Sequence, residues 1–513
     1  MGKWKRLFGA YKEKERGSPS LFSSVLVKKQ ANPSCFLRAR VLYINIDEDC
    51  ICKGLGGDIM LRKRDVDIIS GKLLPSMLAF ALPVIIGSMV QSLFNAVDII
   101  VLGNFTQNSN AVASVGVTSP VVNLVVTSFV GLSAGVGVLI ARFVGAKEGE
   151  RVKKTVSTAL ITAFTLGLLI AAVGVIFSKK MLIAIDCPDE CLADATLYMQ
   201  IYLAGAPAIM LYNFGASIIR VSGDSERPLY YLIAAGILNG GLNVILCLTL
   251  TQKVIAVAIA TTASQVLGAI LVILHLLRSK NTCSLDIKML TFDKHIFVKI
   301  LMYGLPSALN TSLYTISNLQ IASAINAFGP DGIAGNTAAS SLETFIASIT
   351  GGFGVTALTF VGQNIGADKP ERVKKTVLMG IATSVTITVT SCLLLKLLSH
   401  QALSLYIPGE EAAIAFGTVR VGLVLGFYFV PAVNAILGNS IQAFGYSILS
   451  MFNNIVAVLG FRIIWMFFVY PSSPTPEMLY VCYPISWSIS VFMQLITLTV
   501  IYTRYRKGKF IKM

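Results

Sequence analysis

Twelve apolar runs, separated by charge, glycine or proline, leave this sequence few folds to choose from. They cover about 74–103, 111–141, 155–178, 195–219, 228–250 and 254–277, then about 296–328, 332–361, 376–399, 412–443, 447–470 and 478–503. A helix of about twenty residues, rising 1.5 Å per residue, crosses a hydrocarbon core of about 30 Å. In lipid each backbone N–H and C=O must find its partner inside the protein, which favours helices for runs of this length. Composition agrees: the 513 residues are 55% hydrophobic and 13% charged, where ordinary soluble domains carry about 25% charge. The mean hydropathy is +0.73. The expected fold is an all-α polytopic membrane protein with twelve transmembrane helices.

A net charge of +16 would suggest nucleic acid for a soluble chain. Here the cations follow the membrane instead. From Arg62 onward, 25 Lys and Arg fall on the N-terminal side of the spans, whereas the opposite loops hold four: Lys179, Lys180, Lys253 and Lys396. Positive charge concentrates on the cytoplasmic side, so both termini are expected there, with a lipid bilayer and no nucleic acid as partner. The first 69 residues read as a separate extension, poorly ordered or in part the product of an upstream start. Met60-Leu61-Arg62-Lys63-Arg64 resembles a natural beginning just ahead of the first span.

The chain also repeats itself. Glu150-Arg151-Val152-Lys153-Lys154-Thr155-Val156 returns as Glu371-Arg372-Val373-Lys374-Lys375-Thr376-Val377, and Leu82-Pro83 returns as Leu305-Pro306. With six spans per half, both halves cross in the same direction. They are therefore parallel repeats, two six-helix lobes about a pseudo-twofold axis along the membrane normal. The expected boundaries are 70–280 for the N-terminal lobe, 281–295 for a cytoplasmic linker, and 296–513 for the C-terminal lobe with its basic tail. Gly131-Leu132-Ser133-Ala134-Gly135-Val136-Gly137 supplies a small-residue face for close helix packing.

Asp98 is the ionisable residue of the first span, and a carboxylate at that depth is costly and usually functional. Aligning Gln91-Ser92-Leu93 with Thr311-Ser312-Leu313 puts Asn318 opposite Asp98. Glu343, near the place of Val122, is the buried acid of the second half; of the two deep cations, Arg420 and Arg462, Arg462 is expected to meet either Glu343 or a helix end. Nine cysteines and three histidines form no nucleophile-base pair and no metal framework. The chain reads as a carrier rather than an enzyme.

Several stretches together resemble the multidrug and toxic compound extrusion (MATE) family, over about Ile69 to Lys507. They are Phe80-Ala81-Leu82-Pro83, Asn95 with Asp98, Val144-Gly145-Ala146-Lys147, Arg220-Val221-Ser222-Gly223-Asp224, Gly304-Leu305-Pro306 and Val361-Gly362-Gln363-Asn364-Ile365-Gly366. The resemblance implies a MATE-like two-lobed fold in the plasma membrane of a bacterium. It also implies export of amphipathic, cationic organic compounds or drugs by an antiporter whose lobes rock between access states. Asp98 inherits the family's cation site, coupled to protons or, as a bound metal, to sodium. Pro83 matches a proline where that helix bends in some members. Where the family often carries Leu-Asn-x-x-Leu-Asp, this chain has Leu238-Asn239-Gly240-Gly241-Leu242-Asn243, so Asn243 replaces an acid and Asn239 precedes it by one turn. Thr261 matches a threonine that completes the site, and Asn213 is a further polar neighbour. Tyr314, Tyr428, Asn318 and Glu343 are candidates for the substrate cavity. The coupling ion is the expected inorganic partner, with no cofactor besides it, and the carrier is expected to be a monomer. A flippase of lipid-linked saccharides, from a related fold, is the alternative. It would need a cluster of cations for pyrophosphate, against two deep arginines.

Overall fold

The computed structural model describes residues 66–508, apart from Gln107 and Asn108 and the side chains of a few further residues. The extension 1–69 lies outside them except for its last four residues. Helices account for nearly all of the described chain. The first lobe comprises α1 (Leu73–Phe105), α2 (Ser109–Gly145), α3 (Gly149–Ile183), α4 (Asp189–Ala204 and Ala206–Val221), α5 (Glu226–Thr249) and α6 (Lys253–Arg278). The second comprises α7 (Lys294–Ile325), α8 (Gly329–Gly366), α9 (Pro370–Leu397), α10 (Glu411–Phe427 and Phe429–Ala443), α11 (Ser447–Ser472) and α12 (Pro476–Arg506). By length and composition, ten helices among the described residues can cross a membrane, or twelve with each bent pair taken as one span.

The bends fall at equivalent places. α4 turns by 45° at Gly205 and α10 by 46° at Tyr428. Pro207 sits in the first turn after the first bend, where its missing N–H costs nothing. Pro431 follows the second bend by three residues, against two for Pro207. Pro83, Pro120 and Pro306 instead lie inside α1, α2 and α7, which run on through them.

Glycine determines how the lobes meet. A side chain on Gly131 would overlap the α7 backbone at Ala308, and one on Gly352 would overlap Ile85 of α1. These contacts are twofold mates, as Ala308 and Ile85 each stand two residues past the paired prolines. A side chain on Gly145 would run into the Gln363 carbonyl, and one on Gly366 into that of Arg142. Gly135 and Gly304 leave room for only 2.5 Å between an added Cβ and the Gly304 nitrogen. Lipid tails offer helices no hydrophobic drive to associate, so such close approach supplies the packing energy.

The segments leading into α1 and α7 each cross to the other lobe. Val66 N–H donates to the Gly223 carbonyl of the first lobe. Arg372 of α9 then donates to the carbonyls of Ile68 and Gly71, the latter at 2.7 Å, and Lys369 to that of Ile69. Ile68 is buried against Met77, Phe80, Val84 and Phe360. The last residues of the extension are thus docked. On the other side, Thr158 of α3 holds the Thr291 carbonyl and the Asp293 N–H.

Candidate functional site

The structure brings Asp98, Asn239, Asn243 and Thr261 together from α1, α5 and α6. Asp98 is 2% exposed. Asn243 Nδ2 donates to its Oδ1 at 2.7 Å and Asn239 Nδ2 to the same oxygen at 3.3 Å. Thr261 Oγ1 meets Oδ2 at 2.7 Å. Asn239 and Asn243 lie one turn apart on the same face of α5, and Asn243 Nδ2 also reaches Asn239 Oδ1 at 3.3 Å. Among the described residues no Lys, Arg or His comes within ion-pair distance of Asp98.

Two details bear on what this cluster can bind. Thr261 Oγ1 accepts from Asn239 and sits 3.0 Å from the Val257 carbonyl as well as 2.7 Å from Asp98. A hydroxyl has one hydrogen. If Asp98 is ionised, Thr261 gives that hydrogen to it. If Asp98 is protonated, the carboxyl gives its own hydrogen to Thr261, whose hydroxyl then turns to Val257. The network closes in both states. The second detail is Asn243 Oδ1, a buried acceptor that has no partner. Carboxylate, hydroxyl and amide oxygens are hard donors suited to sodium, and this orphaned one leaves a coordination place open.

A small pocket, about 300 Å³ including its open mouth, lies beside Asp98, lined by Val115, Thr118, Ser119, Val122, Asn123 and Tyr198. Tyr198 was not apparent from the sequence, although its place on the first segment of α4 is where a polar neighbour was sought. Asn213 does not take that part. It lies beyond the Gly205 bend, donates to the Ile209 carbonyl, and lines a different cavity.

That larger cavity, about 1220 Å³ including its open mouth, lies between the lobes. Pro83, Ser88 and Gln91 border it, as do Asn213, Arg220, Ser307, Asn310 and Gln442. Arg220 adds a cation that the sequence had assigned to a loop. The four cavity candidates Glu343, Asn318, Tyr314 and Tyr428 are not among its lining residues. Glu343 pairs with Arg420, not Arg462: Nε–Oε1 is 2.6 Å and Nη2–Oε2 2.8 Å, with both side chains largely buried. α10 packs on α8 and presents Arg420 to it, while Arg462 on α11 turns toward α7 and α12. Arg420 also donates to Asn336, which accepts from Tyr480 as well. Tyr314 joins an amide network, accepting from Asn434 at 3.0 Å and meeting Asn454 at 3.4 Å. Tyr428 packs edge-on against Trp487 at the α10 bend.

Asn318 is not the counterpart of Asp98. Asp98 stands fifteen residues after Pro83, and fifteen after Pro306 stands Ile321, which is buried in an apolar cluster with Leu479 and Tyr483. Asn318 corresponds to Asn95.

The pattern that runs through both lobes matches a known family. The model described as MatE covers residues 83–245 and 306–468, each match beginning at one of the paired prolines. The chain belongs to the MATE family. Similar proteins include the probable multidrug resistance protein YoeA of Bacillus subtilis (strain 168), 27% identical over 343 residues, which cover 66% of this chain and 74% of that one. The multidrug export protein MepA of Staphylococcus aureus (strain N315) is 22% identical over 371 residues, covering 72% and 81%. A crystal structure of a MATE protein in the bent conformation superposes with a TM-score of 0.80 at 22% identity, over 87% of this chain and 99% of the other. This MATE protein is therefore a multi-pass membrane transporter built from two six-helix repeats.

Proposed function

We propose that this MATE transporter is a cation-coupled antiporter that exports amphipathic, cationic organic compounds across a bacterial plasma membrane, with both termini cytoplasmic. The observation that carries the reading is the Asp98 cluster, a buried carboxylate held by three neutral groups. Burying an ion costs several kcal/mol even after the protein relaxes. A proton or sodium ion taken up at Asp98 removes that cost, so the bound and free forms favour different packing around α1. The multidrug names of the relatives support the substrate class.

The lobes supply the second half of the mechanism. Their close contacts run from Thr127–Thr311 down to Gly145–Gln363, along the end of α2 that the charge distribution assigns to the cytoplasm. In our reading this is the sealed side, and ion uptake from outside drives rocking toward the other state. A saccharide-lipid flippase fits less well, since among the described residues Arg220 is the one cation lining the larger cavity.

The test is efflux of a cationic dye from proteoliposomes under separately imposed proton and sodium gradients. Stimulation by one gradient, lost in Asp98→Asn, is expected. Efflux unaffected by either gradient overturns the antiport reading.

A further inference from the structure

The second lobe holds a polar centre of opposite sign where the first holds Asp98. Gly223 and Gly445, both at positive φ, mark the same turn in the two lobes. Sixteen residues past the first stands Asn239, and seventeen past the second stands Arg462. The extra residue is absorbed by a π-helical stretch, Ile455–Gly460. The family match agrees, since Arg462 lies as far into 306–468 as Asn239 lies into 83–245. A second π-helical stretch, Trp465–Val469, follows it. Such widened turns recur at functional sites.

Arg462 is 1% exposed. Its Nε donates to Ser486 Oγ at 3.2 Å, and its Nη1 to Ser317 Oγ and Asn318 Oδ1, each at 3.1 Å. Its Cζ stands 4.1 Å from the centre of the Tyr483 ring. Every one of these partners is neutral. Among the described residues no carboxylate lies within ion-pair distance of it, and Nη2 makes no hydrogen bond. Arg420 faces the same Tyr483 ring at 5.7 Å, which puts the guanidiniums within about 10 Å of each other. Glu343 answers Arg420 alone, through a bidentate pair. The centre therefore carries one positive charge more than its acids balance. An arginine cannot shed its proton to escape burial, so an anionic ligand would supply the counter-charge that the centre lacks. Asn318 is exposed and brings the centre to the surface of α7.

We infer that Arg462 binds an anionic group, a carboxylate, on the transported amphiphile. The buried Tyr483 and Trp487 rings, 5.5 Å apart between centroids, form the apolar wall beside it. The inference rests on the export reading for the word "transported" and narrows the substrate class to zwitterionic amphiphiles.

Equilibrium binding tests it on the full-length protein in neutral detergent, by fluorescence polarisation of a cationic xanthene dye with a free carboxylate and of its methyl ester. The free acid is expected to bind about ten-fold more tightly, the scale of one charge-assisted hydrogen bond. Arg462→Gln removes that difference while leaving the ester unchanged, and Arg462→Lys keeps part of it. If R462Q does not yield folded protein, Asn318→Leu, which crowds the open side of the guanidinium, replaces it with the same expectation. Equal binding of acid and ester by the unmodified protein overturns the inference. So does an equal loss for both dyes in the variant, or loss of the acid's advantage on adding millimolar chloride or phosphatidylglycerol, which assigns the site to a halide or a lipid. No gradient is involved, so Asp98→Asn retains the acid's advantage. Failure of antiport and failure of this site are thereby read apart.

Discussion

Asn239 of α5 and Arg462 of α11 hold one place in two copies of the same design, yet their surroundings are opposite. Around Asn239 the charge is a carboxylate from α1, and the partners are amides and a hydroxyl. Around Arg462 the α1 counterpart of that carboxylate is Ile321, and the charge is the arginine itself. Duplication thus preserved the backbone frame and let polarity diverge. A symmetric frame gives both lobes the same depth and access. The side chains then decide that one lobe holds a negative centre and the other a positive one.

The sharpest way to break the comparison is Asp98→Asn, which neutralises the first centre. Gradient-driven efflux is expected to fall to the level of empty liposomes, with unchanged yield in size-exclusion chromatography. Next in size is Glu343→Gln, which leaves Arg420 buried without its partner. Breaking a buried pair from one side costs about 3–5 kcal/mol, so thermal unfolding in detergent should shift down markedly. The double variant Glu343→Met with Arg420→Met should recover much of the loss. A third test supplies the acid that the family pattern leads one to expect. Asn243→Asp places two carboxylates in contact, and like charges raise the first proton affinity. The pH midpoint of efflux is then expected to rise by about one unit. The smallest effect falls outside both centres. Arg372→Ala removes the bonds to the Ile68 and Gly71 carbonyls, and a loss of about 1–2 kcal/mol is expected, read as faster hydrogen exchange in residues 66–72.

Much of this was legible in the sequence because the relevant signals are local. Apolar length gives the spans, and charge outside them separates the two faces. Asp98 was within reach as the ionisable residue of an apolar span, and Asn239, Asn243 and Thr261 through the family resemblance, with Asn239 and Asn243 one turn apart on one face. Asn213 was not, because the Gly205 bend turns the second half of α4 toward the larger cavity and leaves Tyr198 of the first half at Asp98. The pairing of Glu343 required knowing which helix faces α8. The equivalence of Arg462 with Asn239 was hidden by a π-helical insertion, which shifts register by one residue without any marker in composition. Asn318 was misplaced by matching short polar words; counting from the prolines corrects it.

The glycine contacts carry a further consequence. Gly145 meets the segment that contains Gly366, and Gly366 meets the segment that contains Gly145. That reciprocity is the mark of an isologous dimer interface, in which one patch serves both partners. The protein is, in effect, a homodimer whose subunits have been joined end to end and then allowed to differ. Its joining segment, 281–295, would then be needed to keep unequal halves together in equal number rather than to shape the contact. Two half-chains produced separately carry the whole of that mutual surface, and their assembly would weigh what divergence left intact in the seam.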